Sequence, residues 1–199
     1  MAPRRAAQAA RVLLANSVLM IFGFFTFIAV FALHYTNDLR FTVAVVGLAL
    51  ALRQLMQQGL DIFGGAFADR FGYRFAITLG CIIRGMGFIG VGFAHTLPQL
   101  LLSCAVMGFG GMFFDAASAA ALSNVTAPAA RARTFALQAT LNNVAAAVGP
   151  VVGITIYSHF GFFPVALFAA VVFFWIGIQT ALFLPPEVSR LPEVAAERA

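Results

Sequence analysis

The sequence predicts an all-α integral membrane protein with six transmembrane helices. Of its 199 residues, 62% are hydrophobic and only 10% are charged, against roughly 25% charged in an average soluble domain. The apolar residues form six long runs, and a membrane-spanning helix needs about 20 such residues. These runs are too long, and alternate too little, for the strands of a transmembrane barrel. They leave no room for a soluble catalytic domain, which typically has about 100 residues or more.

The six predicted spans follow one another with short connections. Their approximate bounds are residues 12–34, 42–67, 75–95, 98–125, 134–158 and 163–184. Charged, proline or glycine residues mark each break, and such short links require neighbouring spans to run antiparallel. We therefore predict one six-helix transmembrane domain over residues 1–184. Residues 185–199, with three glutamates and three prolines, are predicted to be a polar cytoplasmic tail.

The arginines predict the orientation in the membrane. All twelve basic residues are arginines, and nine of them fall on one side of the predicted bilayer. Arg40 alone lies in a loop on the other side, and the remaining two lie within spans. Because basic loops favour the cytoplasmic side, both termini are predicted to be cytoplasmic. The arginines form no single patch, so the net charge of +5 does not predict nucleic acid binding.

Neither a metal site, a cofactor nor an intramembrane enzyme is predicted. His34, His95 and His159 all fall at the outer ends of spans, where an interfacial position explains them better than a metal site does. The best candidates for nucleophilic chemistry, Ser103 and His95, lie at a span end without a third group to complete a triad.

Ionisable residues inside the spans are the candidate functional residues, since each costs at least about 2.5–3.5 kcal/mol to place at mid-membrane. They are Arg53, Asp61, Arg84 and Asp115. Arg53, Gln57 and Asp61 recur every four residues in span two, which on one helix gives a continuous polar stripe. Such a stripe indicates either hydrogen bonding between helices or a water-accessible pathway, and the two opposite charges favour the pathway. Arg84 should lie deeper in the membrane than Asp115, so we do not expect them to pair directly.

The connection between spans two and three contains a family motif. Its sequence is GAFADRFGYR, residues 65–74. It resembles the cytoplasmic signature loop of the major facilitator superfamily, G-x-x-x-D-R-x-G-x-R. All five defining positions match: Gly65, Asp69, Arg70, Gly72 and Arg74. The resemblance implies a gating loop, in which the aspartate locks the outward-facing state by contacts between two halves of a transporter. Gly65 should permit close helix contact and Gly72 a tight turn.

Span five contains a second, weaker match. Gly149, Pro150 and Gly153 fit the family's antiporter signature, G-x-x-x-G-P-x-x-G, whose first glycine is replaced by Ala145. The three small residues also form a ridge that permits close approach of another helix. Ordinary helix packing accounts for this ridge equally well.

Span four matches the family's proton-linked motif only in part. Gly108 and Gly110 have its spacing, but Cys104 stands where the motif has arginine and Met107 where it has glutamine. The usual coupling arginine is therefore missing from span four, and Arg84 on span three could replace it.

The resemblance covers nearly the whole chain but only the N-terminal half of such a transporter. It points most closely to a multidrug-resistance branch of bacterial inner-membrane proteins, through residues 52–60. Family members usually have twelve spans in two halves related by a pseudo-two-fold axis. Two parallel copies of this chain would rebuild that architecture as a homodimer. A heteromeric half or a truncated fragment is the alternative.

The predicted function is alternating-access transport by a half-size homodimer, with proton-coupled export of small amphipathic compounds as the leading hypothesis. Nutrient uptake or facilitated diffusion is one alternative, and a non-transporting membrane partner or regulatory half-subunit is another. The proton-coupling candidates are Asp61, Asp115, Arg53 and Arg84. The substrate-cavity candidates are Asn16, Gln57, Met107 and Asn142. In the dimer, Asp69 is expected near residues 133–135 of the partner, and the small ridge near the partner's span two.

Overall fold

The computed structural model describes residues 3–185, which are helical apart from short connections. The long helices are α1 (Pro3–Leu33), α2 (Val43–Gly59), α3 (Asp61–Phe71), α4 (Tyr73–Gly92), α5 (Leu97–Val125), α6 (Arg131–Phe160) and α7 (Phe162–Phe183). Within this range, five helices are long and apolar enough to cross a membrane, and six spans result if α2 and α3 form one bent span. The predicted all-α membrane fold is confirmed. The predicted tail lies outside the described residues from residue 186 onward.

Local sequence signals explain several helix boundaries. The Thr42 side chain accepts a hydrogen bond from the Val45 amide, 3.3 Å away, and so caps α2. Thr96 and Gln99 form a reciprocal capping box at the start of α5. Gly72 (φ 97°) and Gly161 (φ 80°) separate α3 from α4 and α6 from α7. Both have the left-handed backbone that glycine adopts without a steric penalty, as the turn expected at Gly72 requires.

The prediction of one continuous helix for span two is wrong. α2 ends at Gly59, α3 begins at Asp61, and the two axes are bent by 44° at Leu60. Glycine is a poor helix former, so Gly59 weakens the helix where it breaks. The polar stripe therefore does not run along one straight helix, because Asp61 lies beyond the bend from Arg53 and Gln57.

The core of the bundle surrounds α4. This helix packs against α5 and α7, while α1 packs against α6 and α7. Phe88 of α4 lies between Phe27 of α1 and Phe173 of α7, with ring centres 4.8 and 5.0 Å apart. α2 and α3 contact mainly α5. This arrangement leaves α6 the least buried of the five long spans.

The small ridge of α6 packs inside the chain, directly against α1. Ala145, Gly149 and Gly153 are the buried residues of α6. A Cβ atom at Gly153 would overlap the carbonyl oxygen of Thr26, and one at Gly149 would lie 2.9 Å from the Cβ of Phe25. The expectation that this ridge lies near a partner's span two is therefore wrong. The ridge brings α6 close to α1, and a different face of α6 is exposed.

Candidate functional site

Four helices bring together what we call the buried charge cluster. Its members are Phe24 (α1), Arg53 and Gln57 (α2), Arg84 (α4) and Asp115 (α5). Nη1 of Arg53 donates a hydrogen bond to Oε1 of Gln57 over 2.8 Å. Nε2 of Gln57 in turn donates to Oδ2 of Asp115. A chain of two hydrogen bonds therefore joins the guanidinium on α2 to the carboxylate on α5.

Glycines on α5 allow α2 to approach closely enough for this chain to form. A Cβ atom at Gly108 would overlap the carbonyl oxygen of Arg53. One at Gly111 would lie 2.8 Å from Cδ of Gln57. Because both positions lack a side chain, α2 lies backbone against backbone on α5, and Gln57 reaches Asp115 across the contact.

The two arginines of the cluster share one aromatic ring. The Cζ atoms of Arg53 and Arg84 lie 4.9 and 5.7 Å from the centre of the Phe24 ring. Arg84 also lies over Phe173, at 5.0 Å. Cations within about 6 Å of an aromatic ring centre are attracted to its face. These rings partly replace the water that both guanidinium groups lose, since Arg53 is 8% exposed and Arg84 only 3%.

Arg84 and Asp115 do not form a direct ion pair, as the difference in depth predicted. The carboxylate of Asp115 accepts its hydrogen bond from Gln57 instead. Within residues 3–185, Nε and Nη1 of Arg84 have no hydrogen-bond partner, and neither does Nε of Arg53. Three buried donors of the cluster are therefore left without an acceptor from the described chain.

Asp61 lies beside the cluster rather than in its hydrogen-bond chain. It is the first residue of α3, on the far side of the bend, and is half-buried. Its Oδ1 atom is buried and makes no hydrogen bond with a described residue. Asp61 and Asp115 lie near enough to repel each other electrostatically. Two membrane carboxylates therefore interact electrostatically between the packed helices α3 and α5.

Two of the four cavity candidates lie in helix contacts. Asn16 is fully buried and donates from Nδ2 to Oγ1 of Thr180 on α7, 2.8 Å away. Met107 is also fully buried, and a Cβ atom at Gly87 of α4 would come within 2.7 Å of its backbone. Among the described residues, these two side chains connect helices.

Asn142 connects α1 and α6, while Gln57 belongs to the buried charge cluster. Nδ2 of Asn142 donates to Oγ of Ser17 over 3.0 Å, and Nε2 of Gln138 donates to the same atom over 2.9 Å. Ser17 and Gln138 were not among the predicted residues. The spacing of four between Gln138 and Asn142 was the signal that could have found the α6 pair.

The signature loop is anchored to residues of its own chain. Asp69 is exposed, and one of its oxygens accepts a hydrogen bond from the Tyr73 hydroxyl over 3.0 Å. Arg74 donates to the carbonyl oxygen of Ala181, near the end of α7. Arg70 lies 5.6 Å from the centre of the Phe71 ring. The loop thus exposes the Asp69 carboxylate, while the hydrogen bonds of Tyr73 and Arg74 hold the loop in place.

The close helix contact expected of Gly65 is made by its neighbour. A Cβ atom at Gly64 would overlap the carbonyl oxygen of Met112 on α5, whereas one at Gly65 would lie 3.9 Å from the nearest atom, Cβ of Ala116. Gly64 precedes the signature motif, so the motif itself gave no reason to select it.

Relatives of known family are similar in sequence to most of this chain. The model of the Major Facilitator Superfamily matches residues 13–199. Multidrug resistance protein MdtH of Aeromonas hydrophila is 39% identical over 170 residues, which cover 85% of this chain and 43% of the relative. The MdtH protein of Photorhabdus laumondii is 38% identical over 173 residues, or 87% of this chain and 43% of the relative. The chain thus spans less than half the length of these relatives.

Solved structures show the same fold in transporters of distant sequence. Tetrameric PepTSo2 superposes with a TM-score of 0.80 at 13% identity, over 95% of this chain and 43% of that one. A mutant of the peptide transporter POT in complex with alafosfalin gives a TM-score of 0.77 at 17% identity, over 98% of this chain and 46% of that one. The matched family model, the bent six-span bundle and the signature loop agree, and the chain is a multi-pass membrane protein of the transporter family known as the major facilitator superfamily.

Proposed function

We propose that this chain is half of an alternating-access transporter and that two parallel copies form the working unit in a bacterial inner membrane. The observation that carries this proposal is the exposure of α6. It has the lowest mean hydropathy of the five long spans, yet it is the least buried. Besides large apolar residues such as Val144 and Val151, it exposes a set of small and polar ones: Ala139, Thr140, Asn143 and Ala147. Such residues suit a protein neighbour better than lipid.

The face of α7 provides the contrast. Its exposed side chains are large and apolar: Leu167, Val171, Trp175, Ile178 and Leu182. These side chains suit contact with lipid tails. The bent span α2–α3 exposes a row at alternating steps of four and three, in which small or polar residues alternate with large apolar ones: Ala44, Leu48, Ala51, Leu55, Gln58 and Ile62. We therefore propose that α6 packs against α2 of the partner, about a two-fold axis beside these helices.

Crosslinking between copies tests this arrangement. Leu55 and Val148 each lie twelve residues from the outer end of their helix, so they have similar depths. We expect a Leu55→Cys copy and a differently tagged Val148→Cys copy, both lacking Cys81 and Cys104, to crosslink when expressed together. A copy with Val171→Cys on α7 is the control and should not crosslink to Leu55→Cys. A purely monomeric protein in lipid would contradict the homodimer, and purification with an obligatory different partner would favour the heteromeric alternative.

Labelling from outside intact cells tests the orientation. Asn37 and Ala129 are both exposed and lie at opposite ends of the bundle. We expect a membrane-impermeant thiol reagent to label Asn37→Cys and to spare Ala129→Cys until the cells are opened. Labelling of Ala129→Cys in intact cells, with Asn37→Cys protected, would reverse the proposed topology.

For the transport mode, we propose export of small amphipathic compounds in exchange for protons. Two membrane carboxylates, Asp61 and Asp115, are the proposed proton carriers, and the multidrug resistance names of the relatives suggest the class of solute. Everted membrane vesicles give the test: accumulation of an amphipathic probe should begin when an acid-inside pH gradient is imposed and stop when an ionophore collapses the gradient.

Uptake or facilitated diffusion is the second candidate, and the buried arginines favour it. A proton on Asp115 would leave Arg53 and Arg84 with more uncompensated positive charge, so a bound proton and a bound anion would stabilise each other. Reciprocal binding of this kind favours movement in the same direction. If the probe leaves everted vesicles together with protons, or crosses independently of the gradient, this candidate replaces export.

A further inference from the structure

The buried charge cluster contains more positive than negative charge. Asp115 is the carboxylate that acts electrostatically on both Arg53 and Arg84, and the two arginines repel each other. Oδ2 of Asp115 accepts a hydrogen bond from Nε2 of Gln57 rather than from a guanidinium group. Asp61 lies beside the cluster, but the carboxylate that acts on both guanidinium groups is that of Asp115 and not that of Asp61. Two buried cations with one such carboxylate, in a membrane that penalises every charge, need a further source of negative charge.

The hydrogen bonds of the arginines are incomplete in the same place. Among the described residues, Nε and Nη1 of Arg84 and Nε of Arg53 are buried without an acceptor. Most buried polar groups in folded proteins have a partner, and an unmet bond to a charged group is especially unfavourable. The guanidinium group offers a planar fork of donors that fits the oxygens of a carboxylate or sulfonate. The missing acceptor therefore has the chemistry of an oxyanion.

An apolar row on α1 includes the ring that lies beside these donors. Met20, Phe24 and Ile28 follow one another at steps of four along α1, and all three are only partly buried. The Phe24 ring contacts both guanidinium groups. A ligand that placed an oxyanion on the arginines could therefore lay an apolar body along α1. Gln54 and Gln57, also partly buried, border the same place from α2.

We propose that Arg53 and Arg84 bind the charged group of an amphipathic organic anion, a carboxylate or a sulfonate, whose apolar part lies against Phe24. The identification of this ligand as the transported compound rests on the proposed transport function. Binding itself requires no gradient and no turnover, so it can be measured separately from transport.

Equilibrium binding to the purified assembly in phosphatidylcholine nanodiscs tests the site. The probes are 2-naphthoate, its neutral analogue 2-naphthamide, and the cation 2-naphthylmethylammonium. We expect 2-naphthoate to bind more tightly than either analogue. Arg84→Gln should weaken its binding about 10- to 150-fold, which is the usual cost of a lost hydrogen bond to a charged group. Arg84→Lys, which keeps the charge but loses the fork, should fall between the two.

Arg40→Gln provides the matched control, because it removes the same charge from an exposed loop residue and should leave the affinity unchanged. Size-exclusion profiles identify variants that fail to fold, and Arg53→Gln then replaces Arg84→Gln. Equal binding of naphthoate and naphthamide, or equal affinity in Arg84→Gln and Arg40→Gln, would overturn the proposal and point to ordered water as the missing acceptor. In that case, gradient-driven transport of another probe would leave the proposed function intact. If naphthoate binding depended on Arg84 but the protein transported nothing, the anion site would stand and the proposed transport function would fail.

Discussion

Replacement of Asp115 by asparagine is expected to abolish transport driven by a pH gradient while leaving assembly intact. Asparagine has nearly the same shape and keeps an oxygen that can accept the hydrogen bond from Gln57. It cannot take up and release a proton, so it removes only the step that couples proton movement to the solute in the proposed mechanism. Asp61→Asn should have a similar effect, since Asp61 is the neighbouring membrane carboxylate.

The measurement is gradient-driven accumulation of an amphipathic probe in everted vesicles containing equal amounts of each protein. Asp38→Asn is the matched control: it makes the same chemical change at an exposed residue near the outer end of α1 and should retain transport. Exchange of labelled probe without a gradient should survive in Asp115→Asn, because alternating access itself is not removed. If Asp61→Asn and Asp115→Asn both kept full gradient-driven transport, proton coupling through these two carboxylates would be refuted.

Gly64→Ala is expected to destabilise the protein strongly, whereas Gly65→Ala is expected to be nearly neutral. The added methyl group at Gly64 would overlap the backbone carbonyl of Met112, which cannot move like a flexible side chain. The same methyl group at Gly65 would have 3.9 Å of clearance. Overpacking of this kind costs about 1–3 kcal/mol, which for a chain of this length corresponds to a fall in Tm of about 2–12 °C.

Thermal unfolding in detergent, followed by the loss of monodisperse protein, gives the comparison. Both substitutions lie in one helix, and both add the same methyl group and the same intrinsic helix propensity. Any difference between them therefore reports the contact with α5. Equal Tm values for the two variants would mean that α3 does not pack on α5 through Gly64.

The spans were predictable because a bilayer imposes length and composition on each helix. Five of the six predicted spans became single helices, with ends within three residues of the predicted ones except at the start of α1, which begins at Pro3 rather than near residue 12. The bend at Leu60 was not predictable in the same way. Gln57 and Asp61 keep the spacing of a continuous helix across the break, so periodicity alone does not register it. The break is set by how α2 and α3 each pack on α5, which is tertiary information.

The candidate site was predictable in its charges and not in its contacts. The free-energy cost of placing an ionisable side chain in the membrane identified Arg53, Arg84 and Asp115 from the sequence, and the cluster contains all three. That Gln57 mediates between α2 and α5 depends on the glycines of α5. That Phe24 is the shared ring had no sequence signal, because α1 is rich in phenylalanine and its periodicity does not distinguish one ring from the next. Likewise, the ridge on α6 showed that something packs closely, but not that its neighbour is α1.

The bend in span two has a mechanical consequence. α2 packs closely on α5 at Gly108, and α3 packs closely on α5 at Gly64. The two parts of the bent span therefore contact the same helix at different positions. Leu60 is the one residue that connects these two packed helices. The signature loop extends from α3, and the Gly64 contact holds α3 against α5. In the proposed transport cycle, a movement of α5 would therefore carry α3 and the signature loop with it.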